Sequence, residues 1–235
     1  MMKFVRRFKD LGIEGTTARW YNNNTRKHRL DEMRGYAKEV AAHLHEGDRV
    51  LEIAPGPGYL AIELAKMEKY SITGMDISQD FVDIARENAR QEHVNVEFLQ
   101  GNASEIPLPD ATFDFIVCSA AFKNFKEPLK ALNEMFRVLR PGATALVIDM
   151  NANASNQQIN ALTESMGVKG IEALFMKLTF KYFLRKGAYT RNGFKNLISK
   201  TPFARHDIRG EGIVFYVYLQ KQNSVHEDTG FGAGN

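Results

Sequence analysis

Glu52 interrupts the run Val50-Leu51-Glu52-Ile53-Ala54, which is otherwise apolar. A carboxylate inside such a run is costly unless it is hydrogen-bonded or paired, so it needs a reason to be there. The turn Pro55-Gly56-Pro57-Gly58 follows directly. Lacking a Cβ, Gly56 lets backbone approach a ligand closely, and Gly58 lets the next helix start tight against it. The stretch Gly56-Pro57-Gly58-Tyr59-Leu60-Ala61 satisfies the dinucleotide pattern G-x-G-x-x-G/A. A pyrophosphate wants free N–H donors at such a turn. Pro55 and Pro57 each remove one, which counts against a phosphate-bearing cofactor without excluding it. Asp76 closes a second apolar run about twenty positions on, where an acid can bind the hydroxyls of an adenosine ribose. After a third run come Asn102 and Ala103, an amide side chain and a backbone N–H suited to an adenine edge. The order is therefore glycine turn, acid, polar-plus-small. It describes an adenosine site, with a nicotinamide cofactor still one of the alternatives.

The elements that must position these residues alternate through the middle of the chain. The patterns predict strands at Arg49–Ala54, Ser71–Asp76, Val94–Gln100, Phe113–Ser119 and Ala143–Met150, with helices at Tyr59–Met67, Gln79–Gln91 and Pro128–Leu139. Pro141-Gly142 is expected to stop the last helix. Such alternation predicts a Rossmann-like, doubly wound α/β fold with a mostly parallel sheet and helices on both faces. Ligands bind such sheets beyond the strands' C-terminal ends, at the switch point. Residues 203–209 and 212–220, around Gly210-Glu211-Gly212, predict an antiparallel hairpin that completes seven strands. The expected organisation is a basic helical lid over 1–35, a core over 36–154 and a helical cap over 155–200. The hairpin over 201–221 and a polar, glycine-rich, disordered tail over 222–235 complete it.

The chain has 235 residues, of which 44% are hydrophobic and 25% charged, enough for a full core. No apolar run approaches the roughly 20 residues of a bilayer span. The first eleven positions are too interrupted by charge for a signal peptide, so a cytoplasmic location is expected. Cys118 is the single cysteine, which excludes an internal disulfide and a cysteine-based zinc cage; no metal is expected. The net charge of +3 is gathered at the start, where Lys3, Arg6, Arg7, Lys9, Arg19, Arg26, Lys27 and Arg29 face only Asp10 and Glu14. That cluster suits an anionic substrate, nucleic acid or a lipid surface, though a solvated helix face is the commoner outcome.

Four segments together resemble a class I S-adenosylmethionine-dependent methyltransferase of the type 11, UbiE-like group. They are "VLEIAPGPGYLAIELAK", "SITGMDIS", "FLQGNASEIPLPDATFDFIVCSAAF" and "EMFRVLRPGATALVIDM", spanning roughly residues 36 to 150. The resemblance implies S-adenosyl-L-methionine as cofactor, S-adenosyl-L-homocysteine as product, and no dehydrogenase. It implies that Glu52, Ala54, Gly56 and Gly58 hold the methionine part, Asp76 the ribose and Ile77 one side of the adenine. Asn102 and Ala103 would read the adenine, Ser119 and Ala120 would form the loop after the fourth strand, and Tyr21 would close over the cofactor. Two positions depart from the family pattern: Ala54 replaces the usual first glycine, and Asn102 the commoner aspartate. With a sulfonium as electrophile, placement and exclusion of water supply most of the rate, and a general base is needed only for a protonated acceptor.

Three regions are expected to meet the acceptor. Trp20 and Tyr21 form the lid, with His28 a candidate base that is more often a surface residue. In "CSAAFKNF", Phe122, Lys123 and Phe125 are expected to project toward the methyl group, and Cys118 to be core. The Asp/Asn-Pro-Pro-aromatic signature of nucleic-acid amino-methyltransferases is absent there. In 168–186, two apolar helical lines that include Phe175 and Phe180 favour a cap over an apolar pocket, with dimerisation second. Tyr21, His28 and Lys123 are thus the catalytic candidates, and Phe122, Phe175 and Phe180 the substrate-binding ones. The expected acceptor is a small apolar or aromatic molecule. The alternatives are RNA methylation and a non-catalytic, cofactor-binding regulatory subunit; contact with a membrane surface and a monomeric or homodimeric state stay open.

Overall fold

The structure, a computed structural model, describes residues 12–165, 187–210 and 212–223. The elements in chain order are α1 (Gly15–His28), α2 (Leu30–Ala41), β1 (Arg49–Ile53), α3 (Tyr59–Ala65), β2 (Ser71–Asp76), α4 (Gln79–Gln91) and β3 (Glu97–Gln100). They continue with β4 (Phe113–Ser119), a 3-10 turn (Phe122–Asn124), α5 (Pro128–Val138), β5 (Leu139–Met150), α6 (Asn156–Ser165), α7 (Arg191–Ile198), β6 (Arg205–Arg209) and β7 (Val214–Gln220). One seven-stranded sheet runs in the order β3-β2-β1-β4-β5-β7-β6. Strands β1 to β5 pair in parallel, while β7 runs antiparallel between β5 and β6, as the predicted hairpin requires.

Strand parity builds two cores. Leu51, Ile53, Ile116, Cys118 and Val147 face one side, with Leu132 and Met135 of α5 and Phe194 of α7. Val50, Phe115, Val117, Leu146 and Ile148 face the other, under Val40 of α2, Leu60 of α3 and Val82 of α4. Helix α4 starts on Ser78, whose hydroxyl accepts from the Phe81 N–H at 3.1 Å, and α7 on Thr190, which accepts from Gly193 at 2.9 Å. Pro128 opens α5, where a missing N–H costs nothing.

Sheet order reverses between β1 and β4: the chain moves outward through β2 and β3, then returns to the other side of β1. The crevice this leaves at the C-terminal ends of β1 and β4 is where such sheets bind ligands.

Several boundaries differ from the sequence expectation. Pro141 and Gly142 do not stop the helix. It ends at Val138, Leu139 is already extended, and both residues lie inside β5, next to a register shift against β4 between Phe113 and Phe115. Gly142, at φ 83°, relieves that irregular stretch. Val94 and Val96 precede β3 and pack on the second core instead of extending the strand. The expected cap helix of 168–186 and most of the tail lie outside the described residues. No helix among the described residues is long and apolar enough to cross a membrane.

Candidate functional site

A cavity of about 320 Å³ opens above the crevice between β1 and β4. Its floor is the turn after β1. Ala54 takes φ 56°, a left-handed conformation that side chains avoid, and its N–H donates to the Met75 carbonyl at 2.8 Å. Gly56, at φ 55°, faces the Tyr21 ring: a Cβ there would stand 3.9 Å from it. Gly58, at φ 82°, does not line the cavity. A Cβ on it would come within 2.8 Å of Phe98 and 2.9 Å of Ala85, so its role is to let the turn pack on α4 and β3.

Two carboxyls hold this turn from below. Parity puts Glu52 on the face of Val50, beneath α3, where it is 1% exposed and accepts from the Ala61 N–H at 2.8 Å. Burial pushes its carboxyl up to about 8, against the lowering effect of that hydrogen bond and with a further upward push from Asp76. Asp76 ends β2 in the cavity wall and accepts from Gly56 N–H and Ser78 N–H, each at 2.9 Å. Burial holds it above its usual range, although those N–H groups favour the carboxylate. A carboxylate offers about four lone-pair sites, so Asp76 retains acceptor capacity toward the cavity.

Beside it, Asn102 uses its side-chain oxygen to accept from Ser104 N–H at 2.9 Å, an Asx turn that shapes the loop after β3. Arg137 of α5 ties the same loop down by donating to the carbonyls of Ile106 and Leu108 and to Asp110. Opposite, the end of β4 contributes Ser119, and the segment after it Ala120, Asn124 and Phe125. Ala120 is left-handed too, at φ 56°, and its carbonyl accepts from Lys123 Nζ at 2.7 Å. Lys123 is in turn paired with Asp149, itself 2% exposed, at 3.0 Å.

The last wall is the N-terminal segment. Asn22 accepts from Tyr59 O–H at 2.8 Å and from Asn88 Nδ2 at 3.0 Å, Ser78 Oγ donates to the Ile13 carbonyl, and Gly15 N–H donates to Asp80. So anchored, α1 and the start of α2 present Tyr21, Thr25, Arg29 and Met33, one turn apart, to the cavity. Tyr21 packs edge-on against Phe81 with centroids 5.6 Å apart.

Residues 50–142 match the methyltransferase domain family. A solved S-adenosyl-L-methionine-dependent methyltransferase from Methanococcus maripaludis shares the fold, with a TM-score of 0.77 at 21% identity over 91% of this chain and 95% of that one. Residues 50–142 thus match a methyltransferase-domain family within a chain that shares a methyltransferase fold. A demethylmenaquinone methyltransferase of Deinococcus radiodurans is 36% identical over 125 residues, 52% of this chain and 52% of that protein. The ubiquinone/menaquinone biosynthesis C-methyltransferase UbiE of Salmonella arizonae is 38% identical over 112 residues, 46% of this chain and 45% of that protein. The matched part thus spans about half the length of the curated relatives.

The cavity gathers Tyr21, Ala54, Gly56, Asp76, Ile77, Asn102, Ala103, Ser119 and Ala120. Glu52 and Gly58 sit behind it. Trp20 does not close over it: α1 turns that side chain outward, 62% exposed. His28 stays outside the lining as well. Phe122 does not project toward the cavity but is fully buried against Phe125, Tyr189 and Phe194. Lys123 turns away from the cavity, because Asp149 and the Ala120 carbonyl hold its ammonium. Phe175 and Phe180 lie outside the described residues. Cys118 is buried in β4 with its thiol pushed up by burial, as a core residue should be. Thr25 and Met33 went unread in the sequence, and Arg29 was read only within the basic cluster, although their four-residue spacing from Tyr21 carried the signal.

Proposed function

We propose that this protein is an S-adenosylmethionine-dependent methyltransferase that acts on a small aromatic or apolar acceptor. The observation that carries the reading is Asp76 at the switch point, bonded to the Gly56 and Ser78 amides and still facing the cavity. In this reading Asp76 takes the ribose hydroxyls, Ile77 flanks the adenine, and the backbone and free amide nitrogen of the Asn102–Ala103 pair read its edge. Ala54 and Gly56 bring backbone against the methionine part, while Glu52 and Gly58 shape that turn from behind. Tyr21 covers the site. The bound cofactor supplies an electrophilic methyl group on a sulfonium. The protein's own share is to hold an acceptor in line with it and to exclude water, which α1 does by closing one wall. Of the three catalytic candidates, His28 is outside the cavity and Lys123 is paired, while Tyr21 lines it with its hydroxyl oxygen accepting from Arg29 at 3.2 Å. A quinone-type ring suits the reading, because the two similar relatives are named for menaquinone or ubiquinone chemistry.

Isothermal titration against S-adenosylhomocysteine and NAD tests the cofactor. Binding of the first and not of the second is expected, and the reverse would sink the assignment. Tritiated-methyl transfer onto naphthohydroquinones, phenols, amines, thiols and RNA then tests the acceptor, with label on RNA alone overturning the small-molecule reading.

A further inference from the structure

Thr25 Oγ1 is the one buried side-chain nitrogen or oxygen among the described residues with no hydrogen-bond partner. The residue is 4% exposed and lines the cavity. A threonine hydroxyl in a helix ordinarily bonds back to the carbonyl one turn earlier, here that of Tyr21. It does not do so in α1, and an unpaired buried hydroxyl is a cost that a valine of the same shape would avoid.

The next residue along this stripe is Arg29, whose N–H donates to the Thr25 carbonyl at 2.9 Å. Its side chain gives Nε to Glu32 at 2.7 Å, one Nη2 hydrogen to Glu32 at 3.1 Å and one Nη1 hydrogen to Tyr21 at 3.2 Å. A guanidinium carries five N–H donors, and three are engaged here, so two remain on a residue that lines the cavity. The charge, however, is already balanced by Glu32. Glu32 also accepts from Tyr36 O–H at 2.7 Å and is held below the usual carboxylate range: burial pushes it up, but Arg29 outweighs that. A second carboxylate at this place would meet Glu32 as well as Arg29. A neutral oxygen would not.

We propose that Thr25, with Arg29 beside it, is a specificity-determining subsite that receives a neutral oxygen of the methyl acceptor, a phenolic hydroxyl or a quinone-type carbonyl. This rests on the methyltransferase reading above and adds a polar feature to the acceptor. Thr25 can donate to a carbonyl or accept from a hydroxyl, and Arg29 can donate to either.

The test compares wild type with Thr25→Val and Thr25→Ser, using 1,4-naphthohydroquinone kept reduced, naphthalene as the oxygen-free control, and saturating S-adenosylhomocysteine. The hydroquinone is expected to bind wild type and Thr25→Ser alike and Thr25→Val roughly tenfold more weakly, the scale of one lost hydrogen bond. Naphthalene and S-adenosylhomocysteine should bind all three equally. Ligand-free Thr25→Val should melt at a higher temperature than wild type, since it removes an unpaired buried hydroxyl. A lower melting temperature would show a structural partner for Thr25 and overturn the proposal. So would equal hydroquinone affinity in Thr25→Val, no hydroquinone binding to wild type, or a matching loss of S-adenosylhomocysteine affinity. Failure of wild type to bind S-adenosylhomocysteine at all would instead remove the methyltransferase reading itself.

Discussion

Glu52 and Asp76 show how a single buried acid is made to serve a turn. Glu52 is raised to about 8 in the folded chain, against the ordinary 4.5 of an unfolded glutamate. Between those values the native state keeps a proton that the unfolded state has lost, so stability falls as pH rises through that window. The contribution is whole below about pH 4.5 and gone above about pH 8. Glu52→Gln should remove this dependence. Unfolding free energies from urea titrations at about pH 5.5 and pH 8.5 should separate by on the order of 2–3 kcal/mol more in wild type than in the variant. An equal pH response in both would show that another group is responsible. Asp76 faces the cavity, where the proposed reading gives it the ribose. Asp76→Ala should weaken S-adenosylhomocysteine binding by about 1–3 kcal/mol, as for lost charge-assisted hydrogen bonds. Titration calorimetry on a variant shown to be folded measures it, and unchanged affinity would mean the ribose is held elsewhere.

At the scale of elements, the loops after β3 and β4 are held by side chains from the elements that follow them. Arg137 anchors the first through the Ile106 and Leu108 carbonyls, which explains why "RVLRPG" and the acidic stretch around Asp110 occur together. Arg140 extends the link to Asp114. Asp149, near the end of β5, anchors the second by accepting from both the N–H and the ammonium of Lys123. This ion pair is nearly water-free, with side chains 6% and 1% exposed. Breaking it from one side strands a charge, so Lys123→Met alone should cost roughly 3–5 kcal/mol. Combining it with Asp149→Leu should recover most of that loss, because neither charge is then left buried and unpaired. A double-mutant cycle on chemical denaturation checks this, and additive losses would show that the two residues are not coupled.

The described residues form two hydrophobic cores divided by one sheet, with the cavity at the place where strand order reverses and α1 along one wall of it. Such a cavity couples ligand binding to global stability. At a hundredfold excess over its Kd, S-adenosylhomocysteine should add about 2.7 kcal/mol. For a chain of this size that is roughly 5–10 °C in melting temperature, read by thermal scanning with NAD as control. A shift with NAD and none with S-adenosylhomocysteine would reverse the cofactor assignment.

The parallel order of β1 to β5, the closing hairpin and the wall residues Gly56, Asp76 and Asn102 were legible because each follows from local pattern, while Ser119 came from the resemblance alone. Period-two burial, a glycine turn and an acid at a strand end are properties of a few neighbouring residues, and the sheet's topology places all such ends along one edge. What the acceptor side contains was not legible in that way. Phe122 and Lys123 follow β4 just where a site residue would, yet one is taken by an aromatic cluster with Tyr189 and Phe194 and the other by Asp149, partners distant in the chain. Trp20 and Tyr21 are neighbours in sequence, and only the seating of α1 on Tyr59, Ser78 and Asn88 sends one to solvent and the other to the cavity. The sequence by itself thus determined the fold and the strand-end wall of the cavity, through local periodicity and turn chemistry. Only the tertiary structure decided which side chains stay free to meet a ligand, because that depends on which long-range partners have already claimed the rest.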